Sequence, residues 1–398
     1  MAAFHSLVEP LEAAWRAVLD DVLARRGGAT TGDVRALAAA VAQMSDVYNA
    51  QGHSRGVALA ARVGFGLPRD VPKSAGAVRE LLGAGLVAGD GAALRVVDLG
   101  AGVGATTLGV VRALRKAGVR RPVEATLIDT DADALGAFRD VLASARAAEI
   151  PCVAGLDVET VPGPVTPALP HDADLVLLGQ VLSELDPGLS PADRAARHAE
   201  LLRALARGLR PGGAIVVVEP ALRDRTRHLH AVRDALTVDG GPLSVFAPCL
   251  HRGRCPALAH EGDWCHEDLA IDLPDWLVPV ARAAGLRFQG LTFSYLVLRA
   301  DGRSVGELFE DPAGAVRVIS EAIRTKGKRE AWVCGPGPAG EGSRTRLRLL
   351  DRDATDAHAA WEELRRGDLL RLEGSGDEPA VDDRGRIGRR TRVARVGR

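Results

Sequence analysis

Aromatic residues make up only 4% of the 398 positions, with two tyrosines among them. That scarcity gives little support to a stacking platform for single-stranded nucleic acid, which needs several rings. Lysine occurs only at Lys73, Lys116, Lys326 and Lys328, so arginine carries nearly all the positive charge. The net charge is −1, and no global field argues for a polyanionic partner. No apolar run approaches the roughly 18 residues that span a bilayer, so no membrane partner is expected. Near the amino terminus, Glu9 and Glu12 soon follow Met1, without the basic-then-apolar layout of a secretory signal. A cytoplasmic location is the expectation. Five cysteines in that setting point to metal ligation rather than disulfides.

What is present is a globular composition, 46% apolar and 26% charged. Residues 1–75 read as a helical extension: Asp33 can cap a helix whose apolar positions Val34, Leu37, Val41, Met44 and Tyr48 recur at three and four. The run from Gly66 to Pro72 reads as a break. Residues 76–300 alternate strand and helix, with strands expected at 94–99, 123–128, 152–156, 174–178 and 214–218, and two adjacent ones at 286–292 and 294–299. That rhythm predicts an α/β class, a parallel doubly wound sheet covered on both faces. Residues 301–373 read as a small region with short strands and a helix over 355–366. Residues 374–398 read as a mobile basic tail, with seven arginines and no acid from Arg384 onward.

The string Val96-Val97-Asp98-Leu99-Gly100-Ala101-Gly102-Val103-Gly104 ends a strand, turns and starts a helix. Glycines let backbone approach a ligand, and a helix start presents free N–H groups. Gly100, Gly102 and Ala105 also satisfy the dinucleotide fingerprint, and tight strand–helix packing without a ligand is the bland alternative. A carboxylate at Asp98 suits a cationic methionine moiety and repels pyrophosphate. Asp129, at the next strand end, is placed for ribose hydroxyls. With Pro211-Gly212-Gly213 leading into the fifth strand, the string resembles the class I methyltransferase family, whose cofactor is S-adenosylmethionine. That resemblance puts Asp157 near the adenine. Gln180 and Ser183, after the fourth strand, are candidates for the acceptor pocket. No general base stands out, and no Asn-Pro-Pro-aromatic tetrapeptide is present.

Cys249, Cys255 and Cys265 fall within seventeen residues, in a Pro- and Gly-rich stretch inside 246–268. Thiolates at close quarters repel unless a metal neutralises them. The spacing matches neither common zinc-finger nor ferredoxin patterns. Cys334 is a credible fourth ligand, with His251, His260 and His266 as competitors; zinc and iron stay open on spacing alone. Ordinary reduced cysteines in a loop are the bland alternative.

Phe246-Ala247-Pro248-Cys249, Asp263-Trp264-Cys265-His266, Phe293 to Arg299, Arg317-Val318-Ile319-Ser320, Lys326-Gly327, Val333-Cys334 and Gly367-Asp368-Leu369 occur in this order, with Leu67-Pro68-Arg69 upstream. Together they resemble a methyltransferase-like family of small-ribosomal-subunit assembly factors found in mitochondria and bacteria. The resemblance implies a [4Fe–4S] cluster on Cys249, Cys255, Cys265 and Cys334, and association with small-subunit ribosomal RNA. It leaves catalysis open: an rRNA methyltransferase, or a non-catalytic assembly factor retaining the cofactor site. A small-molecule methyltransferase with structural zinc is a third reading. Arg344, Arg346 and Arg348 alternate, so a strand would present all three on one face for phosphate, unless nearby acids balance them. Oligomeric state is not legible.

Overall fold

The computed structural model describes residues 7–51, 57–87, 92–237, 243–309, 314–337 and 341–397. Two sheets organise the chain. The first follows the helices α1 (Ala14–Arg25), α2 (Val34–Gln51) and α3 (Leu59–Ala61), which runs through a π-helical turn, Arg62–Gly66, into α4 (Leu67–Gly83). The helical extension thus continues past residue 75. The expected break at Gly66–Pro72 is a helix start. Pro68 sits in its first turn, where a missing N–H costs nothing, and Pro72 is accommodated inside the helix.

Strands β1 (Leu94–Leu99), β2 (Val123–Asp129), β3 (Leu156–Pro162), β4 (Ala173–Gly179) and β5 (Leu209–Glu219) pair in parallel. Between them run α5 (Ala105–Lys116), α6 (Ala132–Ala147) and α7 (Pro191–Ala206); α8 (Arg223–Thr237) follows β5. The strand order is β3-β2-β1-β4-β5, continued by β8 (Leu291–Arg299), antiparallel to β5, and then β6 (Ser244–Ala247). β7 (Glu267–Leu269) pairs with β8 beside the helix α9 (Val278–Ala283). This is a Rossmann-like doubly wound sheet. Its central strands are buried on both faces: Leu94 and Val96 pack with the α4, α5 and α6 layer, Val97 and Leu99 with the α7 and α8 layer. The order reverses between β1 and β4, so their carboxyl ends diverge and open a crevice there.

Three expectations shift. The residues expected as a strand at 152–156 form a 3-10 turn at Pro151–Val153, and the strand begins at Leu156. The two strands expected at 286–299 are one. The region expected as a mobile tail contributes β14 (Arg392–Gly397) to the second sheet.

That second sheet runs β10 (Ile323–Thr325), β11 (Lys328–Pro336), β9 (Ala315–Val318), β13 (Leu369–Glu373), β14, with β12 (Gly342–Leu350) also on β11. All its pairings are antiparallel. Trp361 on the short α10 (Ala359–Glu362) packs into its core with Val318, Val333, Leu347 and Leu370. The two sheets meet across α4. Arg79 donates to Glu267 at 2.5 Å, and Arg317 on β9 donates to Glu80 at 2.6 Å, all four side chains buried. The Tyr295 hydroxyl donates to Glu80 as well. Charges this deep are tolerated only when paired, so these contacts fix the register of one sheet on the other.

Candidate functional site

Two cavities matter. The larger, about 450 Å³, lies at the carboxyl ends of β1, β2 and β4. Gly100, at φ 70°, turns the chain out of β1, and its N–H reaches back to Ile128 O at 2.8 Å. A side chain there would collide with Val181, so only glycine lets the β4 loop close over it. Asp129 lines the cleft, accepting from Gly102 N at 2.7 Å and from Asp131 N at 2.8 Å. One carboxylate therefore ties the glycine loop to the start of α6.

Gln180 also lines the cleft, with a left-handed backbone (φ 62°) and its amide donating to Asp70 at 2.9 Å. Asp70 takes two bonds from Arg69 and one from Lys73. Burial alone raises its pKa, but the two cations outweigh that and hold it well below the usual carboxylate range. Asp70, Arg69, Arg62, Met44 and Tyr48 all come from the amino-terminal helices, which wall one side of the cleft. Periodicity could place these residues on helices, but not over a loop far along the chain.

The other sequence candidates fall elsewhere. Asp98 does not line the cleft: it is fully buried, and one oxygen accepts from Thr107 N and Thr107 Oγ1. Burial pushes it up to about 7. Gly104 starts α5 against the ring of Phe138, a packing role. Asp157 pairs with Glu124 near the beginning of β2 and β3, at the opposite edge of the sheet. The cleft at β3's exit is lined instead by Gly163, Pro164 and Val165. Ser183 does not line the cleft: its hydroxyl donates to Gln180 O at 3.4 Å. Next to it Glu219, a buried carboxyl pushed up to about 7 by burial, accepts from Leu182 N.

The second cavity, about 50 Å³, is lined by Cys249, Cys255, Cys265 and Cys334 together with His230, His251 and His266. The β6 exit, the loop after it, the entry to β7 and the middle of β11 bring the four thiols together. Burial, then the neighbouring thiols, raises Cys255 to about 12 and Cys265 to about 11, and lifts Cys334 well above its usual value. His251 is 3.6 Å from Cys334 Sγ, and His230 accepts from Cys265 N. Arg227 holds the loop by donating to three of its carbonyls, Ala257, His260 and Asp263. His260 does not line the cavity. Among the described residues, no three His, Cys, Asp or Glu side chains are arranged to hold a metal ion.

Arg344, Arg346 and Arg348 do share a face, with Leu347 and Leu349 buried opposite. Each is engaged: Arg344 with Asp263 and over Trp332, Arg346 with Glu330, Arg348 with the Arg384 carbonyl. The balanced-face alternative describes this patch.

A doubly wound sheet with a glycine loop and an acidic strand end at its switch point defines a Rossmann-like protein with a ligand cleft. Residues 92–366 match the family model described as Rsm22, mitochondrial small ribosomal subunit Rsm22. The match covers more than half of the chain, which belongs to this family. No curated protein matches it. Among solved structures it is similar to the mitomycin 7-O-methyltransferase MmcR, at 14% identity over 65% of this chain and 60% of that one, TM-score 0.33. It is also similar to a SAM-dependent methyltransferase of Leishmania major, at 12% identity over 66% and 81%, TM-score 0.32. An uncharacterised protein of Burkholderia thailandensis matches at 15% identity over 75% and 97%, TM-score 0.35.

Proposed function

We propose that this protein is a methyltransferase-like factor of the small ribosomal subunit that binds S-adenosylmethionine and carries a [4Fe–4S] cluster. The observation that carries the reading is the convergence of Gly100, Gly102, Asp129 and Gln180 on one cleft at the switch point. S-adenosylmethionine supplies an electrophilic methyl group. The chain's own part is orientation: loop N–H groups and the Asp129 carboxylate hold the ligand, while Gln180, braced by Asp70, borders the acceptor side. Cys249, Cys255, Cys265 and Cys334 are the residues that would hold the cluster, because all four line one buried cavity and thiolate is the ligand that iron takes. Ribosomal RNA is the proposed acceptor; the family's description supports only the small ribosomal subunit as partner.

One observation favours the non-catalytic assembly-factor reading. Asp70 is clamped by Arg69 and Lys73 and held well below the usual carboxylate range, and burial pushes Tyr48 up to about 12, so these two cleft groups are poor bases at neutral pH. The two readings separate on incubation of anaerobically purified protein with labelled donor and immature small subunits. Label in ribosomal RNA supports catalysis; donor binding and co-sedimentation without label leave the assembly factor. A colourless protein free of iron and sulfide removes the cluster.

A further inference from the structure

The glycine loop leaves the amino-acid end of the donor without an obvious charged partner. Asp98, expected there from sequence, is buried and bonded to Thr107. Two cations border the cleft. Arg69 donates to Asp70 in a bidentate pair through Nε and Nη2 and stands over the Phe65 ring, so that edge of its guanidinium is engaged.

Arg62 is placed differently. It opens the π-helical turn, and one end of its guanidinium, Nη1, donates to Asp131 at the N-cap of α6. Nη2 lies 3.0 Å from the point where a Cβ on Gly102 would stand. That side chain is only 11% exposed. The inserted residue of a π turn re-aims the side chains around it, and such turns recur at functional sites. Among the described residues Arg62 donates through Nη1 alone, and the turn sends its guanidinium across the cleft onto the loop that a ligand must approach.

We infer that Arg62 binds the carboxylate of the donor's methionine moiety, so that the amino-terminal helices complete the donor site. A planar guanidinium suits a carboxylate, and its partial burial strengthens the pairing. Asp131 orients the fork without consuming it. Arg62 lies outside residues 92–366, so the family match does not supply this assignment. The inference rests on the reading of the cleft as a donor site.

Calorimetry on the full chain tests it with S-adenosylmethionine, S-adenosylhomocysteine and 5′-methylthioadenosine, which lacks the amino-acid portion. Arg62→Gln, with thermal melts to confirm folding, is expected to weaken the first two by about 10- to 100-fold, the range for a hydrogen bond to a charged group. It should leave 5′-methylthioadenosine within about twofold, below the effect of one hydrogen bond. Asp131→Asn, which frees the fork but keeps the cation, should cost less than Arg62→Gln. Equal weakening of all three ligands, or none, overturns the role of Arg62 while leaving the cleft reading intact. A wild-type protein that binds none of the three overturns the cleft reading and the inference together.

Discussion

The cleft at the switch point and the cysteine cavity solve opposite problems. In the cleft, the lining groups already satisfy one another: Asp129 holds Gly102 and Asp131, and Asp70 holds Arg69, Lys73 and Gln180. Folding alone completes that site, and a ligand adds to hydrogen bonds already made. In the cysteine cavity, burial has gathered thiols that cannot all ionise, and three are driven upward in pKa. Folding there gathers thiols that stay protonated unless an occupant stabilises the thiolate form. The first site should bind without reshaping the protein. The second should exchange stability with its occupant.

The sharpest way to break this contrast is Cys255→Ser. If the cavity's occupant is coupled to folding, losing one thiolate removes bound iron and on the order of 5 kcal/mol of stability, within the scale of structural metal sites. Iron analysis and denaturant melts of anaerobic protein check it; unchanged values would mean that the thiols are ordinary buried residues. Next is Glu80→Ala, which leaves Arg317 unpaired between the sheets beside the same cavity. Stranding a buried charge costs about 3–5 kcal/mol, read as a fall in denaturation midpoint. Donor affinity should change far less, because α4 meets the cleft at its other end, through Asp70.

A pH experiment separates the two regions by sign. Asp98 sits beneath the glycine loop with its pKa raised from the carboxylate range to about 7. A carboxyl raised on folding favours the native state at low pH, and the benefit disappears as pH climbs from about 4 through 7. The histidines of the cavity, His230, His251 and His266, are lowered to about 4, burial being the largest cause. They act in reverse: stability is present above about 6.5 and is lost as pH falls toward 4. Asp98→Asn keeps an acceptor for Thr107 and removes only the first effect. It should be near neutral at pH 5 and stabilising by roughly 1–3 kcal/mol at pH 8, seen as a melting difference that grows with pH. A constant difference would show that Asp98 does not titrate there.

How much of this was legible in the sequence follows from range and burial. β1 is legible to the residue because Leu94, Val96, Val97 and Leu99 are buried on both faces and stand out as apolar around Arg95 and Asp98. β3 was misplaced because it is the edge strand: Leu156–Pro162 is half exposed and reads as polar, while the apolar Cys152 and Val153 belong to a turn. That slip carried Asp157 from the carboxyl end of a strand to its beginning. The cysteines were legible because thiols are rare and their chemistry narrow. The roof of the cleft was not. Arg62 meets Asp131 and Asp70 meets Gln180 across stretches that no local period connects.

The finest test falls on Asp129, the acidic residue among the sequence candidates that lines the cleft. Each of its oxygens already accepts one backbone N–H. An ionised carboxylate has about four acceptor positions, so two remain for ribose hydroxyls without breaking either bond. Asp129→Asn keeps the shape but turns one oxygen into a donor, which then faces Gly102 N or Asp131 N with nothing to accept from it. If the cleft is complete before its ligand arrives, the substitution should loosen the loop by about 1 kcal/mol, a single hydrogen bond. Donor binding should weaken by about 1.5–3 kcal/mol, roughly tenfold to a hundredfold, as expected for bonds to a charged group. Calorimetry against S-adenosylmethionine reads the second number and melting the first. A large stability loss with unchanged affinity would reverse the assignment, making Asp129 a clamp between two loops and moving ribose recognition elsewhere in the cleft.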